Sequence, residues 1–394
     1  MSGGDSQPIY LDNAATTRVD ERVLAAMLPF FTEKFANPSS REHGPGRKAG
    51  GAVEAAREQA AALIGARPGE IIFTSGATES INLALKGVAW AALGQGRPAH
   101  IVISAIEHNA VRDCCKALER HGVAITIVPV DGEGRVDPDT VSAALHADTV
   151  LISVMAANNE IGTVQPVAQI AQIARARGIP FHSDATQAAG KIPLDMAAGP
   201  DLLSFSAHKM HGPKGAGALY IRSTRPRLEI TPLLHGGGQE RDLRPGTLNV
   251  PAIVGFGAAC GLAGTGMESD MARVAGLREL LERSLLEGCP GARINGAGAA
   301  RLPGITSLTL PGTDRDLLLA RLPELAMASG SACLSSQGKP SHVLRAIGLD
   351  DGAARATLRL SLGRFTSRDE IERAARLIGA EAAAQALSAR RGAS

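Results

Sequence analysis

The chain has 394 residues, 44% of them hydrophobic and 20% charged, a balance typical of a soluble globular protein. Its 41 Lys and Arg residues against 39 Asp and Glu leave a formal charge of +2, which favours neither a nucleic-acid partner nor a membrane partner. We expect no apolar run of the roughly 18 residues needed to span a bilayer and no signal peptide in residues 1–8. The sequence therefore predicts a cytoplasmic protein, and its length predicts two domains.

Short apolar runs alternate with helix-like segments between residues 71 and 221. Several of the runs are rich in β-branched residues, and the segments 78–93 and 167–177 are long enough for crossover helices. The predicted strands are 71–74, 101–104, 125–130, 150–156, 179–183, 202–206 and 216–221. This alternation predicts an α/β fold with a large, doubly wound, mostly parallel sheet, which we assign to a domain of residues 18–265.

The pattern changes beyond residue 266, where short strands and helices are mixed. The predicted elements are a helix over 267–287, a strand over 304–310, helices over 315–322 and 341–347, and a strand over 357–362. A final helix begins at Ser367, which forms a capping-box pattern with Glu370. Together with residues 1–17, the segment 266–394 predicts a smaller α+β domain.

Four residues with chemical potential follow four of the predicted strands. Lys209 precedes a Gly-Pro turn, and a lysine held in a pocket can attack carbonyl groups, whereas an exposed one is inert. Asp184 can pair with a pyridinium nitrogen or cap a helix, and Thr78 lies in a small-residue turn that suits a phosphate. His108 can stack on an aromatic cofactor, move protons or form a structural hydrogen bond. Because ligands bind beyond the carboxyl ends of such strands, the four together predict a pyridoxal-5′-phosphate (PLP) site.

The cysteines number five, and this odd, sparse count argues against a disulfide framework, while the absence of a CxxC pair argues against a structural zinc site. Cys114, Cys115, Cys260 and Cys289 are interpreted as small apolar residues. Cys333 instead lies in a Ser/Gly-rich segment typical of an accessible loop, where a thiolate is a nucleophile. Without a cofactor nearby, Cys333 would be an ordinary loop thiol.

Arg359 lies in the predicted strand 357–362, where alternation places it on the face opposite to that of the leucines. Its guanidinium group can bind a substrate carboxylate in a bidentate manner or form a surface salt bridge. The sequence leaves both interpretations open.

A series of motifs resembles the NifS/IscS-type cysteine desulfurases, which are class V of the fold-type I PLP enzymes. The resemblance extends over nearly the whole chain, and the motifs occur in the family's order. They are YLDNAATT (10–17), NPSS (37–40), SGATES (75–80), EH (107–108), ANNEIG (157–162), DATQ (184–187), SAHKMHGPKG (206–215), HGGGQE (235–240), RPGT (244–247), SGSAC (329–333) and RLSLGRFT (359–366). The longer loop after Cys333 is similar to that of the NifS/IscS group.

The resemblance implies a role for each matching residue. Lys209 would bind the cofactor covalently, His108 would stack on its ring and act on protons, and Cys333 would carry a persulfide. Thr247 would reach the phosphate bound by a partner subunit, which implies a homodimer. The other implied cofactor contacts are Ala77, Thr78, Ser206 and His208 at the phosphate, Asp184 at the pyridine nitrogen, Gln187 at the ring hydroxyl, and Asn159; the implied substrate contacts are Asn37, Asn159 and Arg359.

These observations predict a cysteine desulfurase that converts L-cysteine into L-alanine and passes the sulfur to an acceptor protein. Iron–sulfur cluster assembly, tRNA thiolation, DNA phosphorothioation and biosynthetic sulfur transfer all use such chemistry. A selenocysteine lyase or related C–S lyase is the alternative, because Pro245 replaces the serine of many bacterial desulfurases. A sulfur carrier without catalysis is a third hypothesis. The short tail after the final helix leaves partnering with a scaffold protein in doubt.

Overall fold

The computed structural model of the chain describes residues 8–223, 225–328 and 341–392. The helices are α1 (Glu21–Met27), α2 (Pro29–Thr32), α3 (Gly44–Ile64), α4 (Ala77–Gly94), α5 (Asn109–Glu119), α6 (Pro138–Ala143), α7 (Val167–Arg177), α8 (Val250–Gly288), α9 (Arg315–Arg321), α10 (His342–Ala346), α11 (Asp351–Arg355) and α12 (Arg368–Gly392). The strands are β1 (Ile9–Tyr10), β2 (Ile71–Thr74), β3 (His100–Ser104), β4 (Ala124–Val128), β5 (Thr149–Ser153), β6 (Phe181–Asp184), β7 (Leu202–Ser206), β8 (Gly217–Ile221), β9 (Arg293–Asn295), β10 (Ile305–Thr309), β11 (Leu325–Ala326) and β12 (Thr357–Ser361).

The large sheet has seven strands in the order β2-β8-β7-β6-β5-β3-β4. Strand β8 is antiparallel to both its neighbours, and the pairs from β7 to β4 are all parallel. Every strand except the edge strand β4 is buried along its whole length, as expected for a sheet covered by helices on both faces. All seven predicted strands lie in this sheet, which confirms the predicted α/β fold class.

Helix α8 is longer than the predicted helix 267–287, because it begins at Val250. The first half of α8 was not predicted as helix because it is rich in glycine, which disfavours helices. Tertiary packing overrides that preference: a Cβ atom at Gly257 would lie 2.5 Å from Ala56 Cα of α3. The predicted domain boundary between residues 265 and 266 falls inside this helix, and the division into 18–265 and 266–394 stays a prediction.

Helix α8 also corrects the expectation that no apolar run reaches bilayer length. It is long and apolar enough to span a membrane by length and composition alone, with a mean hydropathy of 1.5 in its most apolar window. Half of that window is buried inside the fold, and the helix packs against α1, α3 and α12. These contacts are those of a core helix.

The second sheet is antiparallel, in the order β12-β10-β9, and packs against α8, α9 and α12 around its own apolar core. The capping box predicted for the last helix is present, since Glu370 N donates to Ser367 Oγ and Ser367 N donates to Glu370 Oε2. Residues after β1 run beside β12, where Asp12 pairs with Ser361, and then enter the cleft described next.

Candidate active site

The carboxyl ends of five strands of the large sheet, β2, β3, β5, β6 and β7, open onto one cleft of about 470 Å³. These strands run in one direction, so the residues that follow them lie at a common edge of the sheet. Ten residues predicted from the sequence line this cleft: Ala77, Thr78, His108, Asn159, Asp184, Gln187, Ser206, His208, Lys209 and Arg359.

Two of the other three predicted residues do not line this cleft. Asn37 and Thr247 are exposed, and their neighbours Pro38 and Leu248 line a second groove. Cys333 lies outside the described residues. The described residues on either side of its segment are next to cleft residues: Arg359 N donates to Ala328 O at 3.2 Å, and Ser341 precedes His342, which lines the cleft.

Lys209 ends a single 3₁₀ turn, Ala207–Lys209, that directly follows β7. Its Nζ donates hydrogen bonds to Ala14 O at 2.7 Å and to Ala15 O at 2.6 Å. Gln187 Nε2 donates to the same Ala14 oxygen at 2.8 Å. The segment after β1 therefore supplies the acceptors that hold the amine in the cleft.

Asp184 is the last residue of β6 and is only 5% exposed. Its Oδ1 accepts hydrogen bonds from Thr186 N at 2.9 Å and from the Thr186 hydroxyl. These bonds fix a buried carboxylate on the floor of the cleft. Such a group suits a partner that carries a proton on a ring nitrogen.

His108 caps the N-terminus of α5, and its Nδ1 accepts a hydrogen bond from Ala110 N at 3.1 Å. The neutral ring therefore carries its proton on Nε2. The ring is open to the cleft but surrounded by protein atoms, and this desolvation lowers the pKa of His108. The Asp184 carboxylate opposes that shift and Lys209 adds to it. A neutral aromatic ring facing the cleft suits stacking.

The N-terminus of α4 forms one wall of the cleft and has no side-chain cap. Gly76 precedes it with a φ of +154°, which favours glycine, and a Cβ atom there would lie 3.8 Å from Ser206 Oγ. Burial lowers the pKa of His208 to about 4, so this residue is a neutral hydrogen-bonding group. Free helix N–H groups beside Thr78, Ser206 and His208 make a donor set that fits a phosphate.

Arg359, on β12, is 4% exposed, so the surface salt bridge considered from the sequence is wrong. Its Nη2 donates to Asp12 Oδ1 at 2.7 Å and its Nη1 to Asn159 O at 3.1 Å. Its Nε is buried and has no hydrogen-bond partner among the described residues. The guanidinium group is thus fixed in place, and one of its donors has no protein partner among the described residues.

Sequence reasoning missed several polar groups around the cleft. Glu107 is fully buried, accepts hydrogen bonds from Ser104 Oγ at 2.5 Å and Met155 N at 2.9 Å, and has its pKa raised by burial to about 8. Glu160 and His342 line the cleft, and Lys191 lies behind it. Glu107 and Glu160 lie within the motifs given above, but the sequence does not indicate that these glutamates are buried, because most glutamates are exposed.

The four cysteines among the described residues are all buried, as predicted. Burial raises the pKa of the Cys114 thiol to about 11 and also raises the pKa values of Cys115, Cys260 and Cys289. Thiols with raised pKa values are poor nucleophiles at neutral pH.

Comparisons with known proteins agree on one family. The sequence model described as class-V aminotransferase matches residues 9–374. A cysteine desulfurase IscS from Anaeromyxobacter sp. (strain Fw109-5) is 48% identical over 94% of this chain and 91% of its own length. A solved NifS-like protein superimposes with a TM-score of 0.87, at 39% identity over 95% of this chain and 99% of the other. The structure of SspA in complex with cysteine gives 0.80, at 38% identity over 91% and 99%. The chain belongs to the class-V aminotransferases and, within them, to the cysteine desulfurases.

Proposed function

We propose that this chain is a PLP-dependent enzyme that takes sulfur from L-cysteine, releases L-alanine and holds the sulfur as a persulfide on Cys333. The observation that carries the proposal is the meeting of Lys209, Asp184 and the uncapped N-terminus of α4 in one cleft. The names of the relatives support it, as does the relative solved in complex with cysteine.

The residues of the cleft fit PLP by their chemistry. Lys209 would supply the amine that binds the aldehyde, Asp184 would supply the carboxylate for the ring nitrogen, and Gln187 would supply an N–H donor for the ring hydroxyl. Thr78, Ser206 and His208, with the backbone at Ala77, would hold the phosphate, while His108 would cover the ring. Bound there, the cofactor supplies an electron sink that weakens the bonds to the substrate's Cα and Cβ atoms.

The protein groups that act on the substrate are a cation, an amine and an imidazole. Arg359, held by Asp12 and Asn159, would bind the substrate carboxylate. Lys209 would carry the proton taken from Cα, because its amine lies in the cleft. His108 Nε2 would manage the proton of the substrate thiol.

The sulfur step belongs to Cys333. Its thiolate would form an S–S bond with the substrate sulfur while the substrate's C–S bond breaks. The carbon then takes up protons and leaves as alanine, so the overall change is L-cysteine plus enzyme thiol to L-alanine plus enzyme persulfide. The hydrogen bond from Arg359 N to Ala328 O and the position of His342 in the cleft lining support this role, because these residues flank the segment that carries Cys333.

The proposal extends to a cytoplasmic homodimer and a sulfur-acceptor protein. Thr247 is exposed and away from the cleft of its own protomer, which supports a contact with the phosphate bound by a partner subunit. Asn37, if it contacts substrate, would also act across the dimer, since its neighbour Pro38 lines the groove that Leu248 lines.

The experiment adds PLP to the purified apoprotein and follows visible absorbance, alanine formation and persulfide. Wild type should turn yellow and convert cysteine, Lys209→Ala should not bind PLP covalently, and Cys333→Ala should turn yellow without forming persulfide. Cys289→Ala, which replaces a cysteine remote from the cleft, should match wild type. Full desulfurase turnover by Cys333→Ala, or a wild type without visible absorbance, would refute the proposal.

A further inference from the structure

A chain of hydrogen bonds links a second lysine, Lys191, to Lys209. Lys191 Nζ donates to Gln187 Oε1 at 2.8 Å, and Gln187 Nε2 donates to Ala14 O at 2.8 Å. The same Ala14 oxygen accepts from Lys209 Nζ at 2.7 Å. Both lysines also line a small cavity of about 30 Å³ behind the cleft.

The two partners of Gln187 permit only one orientation of its amide. A lysine nitrogen in its ammonium form can only donate a hydrogen bond, and a backbone carbonyl can only accept one. Gln187 must therefore turn Oε1 toward Lys191 and Nε2 toward Ala14. The second N–H of Nε2 then remains for an acceptor in the cleft, and the side chain lines that cleft.

The surroundings of Lys191 are unusual for a lysine with only a structural role. It lies four residues after Gln187 on a turn in which Lys191 N donates to Ala188 O at 3.0 Å, and its side chain reaches back to the glutamine. It forms no ion pair with a carboxylate among the described residues. Burial, together with Lys209 and Arg359, lowers its pKa to about 7.

The other titratable groups that face Lys191 are cationic or neutral. His208 and His211 are near enough to feel its charge, and Arg364 lines the same small cavity. Burying an amine among such neighbours is energetically unfavourable. A lysine that is kept in such a place is therefore a candidate functional residue.

We propose that Lys191 is a positioning residue for the cofactor site: it locks the Gln187 amide so that an N–H faces the ring hydroxyl, and it adds positive charge behind Lys209. The inference rests on the proposed function, because it assumes that PLP binds at Lys209. Loss of Lys191 removes one of the two partners that orient the Gln187 amide, leaving only Ala14 O, and it removes the positive charge of the lysine. Both changes favour the protonated form of the nitrogen joined to the cofactor, so the pH midpoint of the visible band should rise.

The test titrates the visible band of PLP-loaded protein with pH and measures PLP affinity. Lys191→Met and Gln187→Leu should each raise the midpoint and weaken PLP binding by about 2- to 10-fold, the range expected for one hydrogen bond. The effects in the double variant should be smaller than the sum of the two single effects, because part of the effect of Lys191 passes through Gln187 while its charge acts on Lys209 directly. Lys191→Arg, which keeps a donor and a charge, should restore the wild-type midpoint, and Lys116→Met serves as the control for loss of an exposed lysine.

Lys191→Leu is made in parallel, so that a folding failure of one apolar variant still leaves the comparison. The inference would be overturned if Lys191→Met or Lys191→Leu kept the wild-type pH midpoint and PLP affinity, or if the effects in the double variant were fully additive. Either result would leave the proposed function standing. A wild-type protein that takes up no PLP would instead refute the proposed function, and the inference with it.

Discussion

Ser341 donates a 2.5 Å hydrogen bond from its hydroxyl to Glu160 Oε2, which joins the first described residue after position 340 to the wall of the cleft. The same hydroxyl caps α10, accepting from Val343 N at 3.1 Å and Leu344 N at 3.3 Å. Burial raises the pKa of Glu160, and the hydrogen bond from Ser341 opposes that shift. One side chain thus anchors a helix and fixes one end of the segment that carries Cys333.

Replacement of Ser341 by alanine should impair sulfur transfer more than stability. Loss of the cap should lower the free energy of unfolding by about 1 kcal/mol, as measured by urea denaturation. Persulfide formation on Cys333 should slow, while the absorbance of bound PLP stays unchanged. Ser367→Ala removes a comparable cap from α12, away from the cleft, and should lower stability without slowing persulfide formation. Equal rates in the two variants would contradict the role of Ser341.

The ion pair between Arg57 and Glu240 should be important for stability. The two side chains are 11% and 1% exposed, form two hydrogen bonds of 2.8 and 2.7 Å, and hold Glu240 at a φ of +47°. Arg57→Met leaves the carboxylate buried and unpaired, which should lower the apparent free energy of unfolding by about 3–5 kcal/mol at fixed protein concentration. Arg18→Met breaks an exposed pair with Glu21 and should cost less than about 1 kcal/mol. A similar loss in both variants would be the contrary result.

Stability should fall as the pH drops from about 6.5 to 4, partly because of His182. This residue is fully buried between Ser153 Oγ and Ser204 Oγ, and burial lowers its pKa to about 4 from 6.5. In that window the unfolded chain takes up a proton that the folded chain does not, so the free energy of unfolding rises with pH by up to about 1.4 kcal/mol per unit for this group. His182→Gln should flatten the slope and the exposed His121→Gln should not. An unchanged slope in His182→Gln would exclude this contribution.

Asp184→Asn should separate the charge of this residue from its structural role. The asparagine oxygen can still accept from Thr186 N, so the fold and the local turn should survive. Without the negative charge the cysteine desulfurase rate should fall at least about a hundredfold, measured as alanine formation. Asp195 makes a similar turn with Ala197 N on the surface, and Asp195→Asn should keep wild-type activity. Similar rates in the two variants would argue against a catalytic charge at Asp184.

The sequence predicted the seven strands of the large sheet because buried parallel strands leave a strong apolar signal. It also placed Asp184 and Lys209 near each other, since residues that follow parallel strands share one edge. Helix α8 was predicted too short, because its glycines look unfavourable until their close contacts with α3 are known. The role of backbone groups such as Ala14 O could not be predicted, because every residue has a carbonyl oxygen whatever its side chain. The orientation of the Gln187 amide by Lys191 could not be predicted from the sequence either, because it depends on which atoms of the two side chains contact each other.

The hydrogen bond from Arg359 N to Ala328 O limits the distance between the Cys333 thiol and the cleft. Four residues lie between Ala328 and Cys333, so their Cα atoms are five steps apart and at most about 18 Å from each other in an extended chain. Under the proposed function, a protein that collects sulfur from Cys333 would dock within about 18 Å of Ala328, close to the cleft that cysteine would enter. Loading and unloading would then share one entrance and alternate in time, so that the acceptor competes with the next substrate molecule for access in a ping-pong cycle.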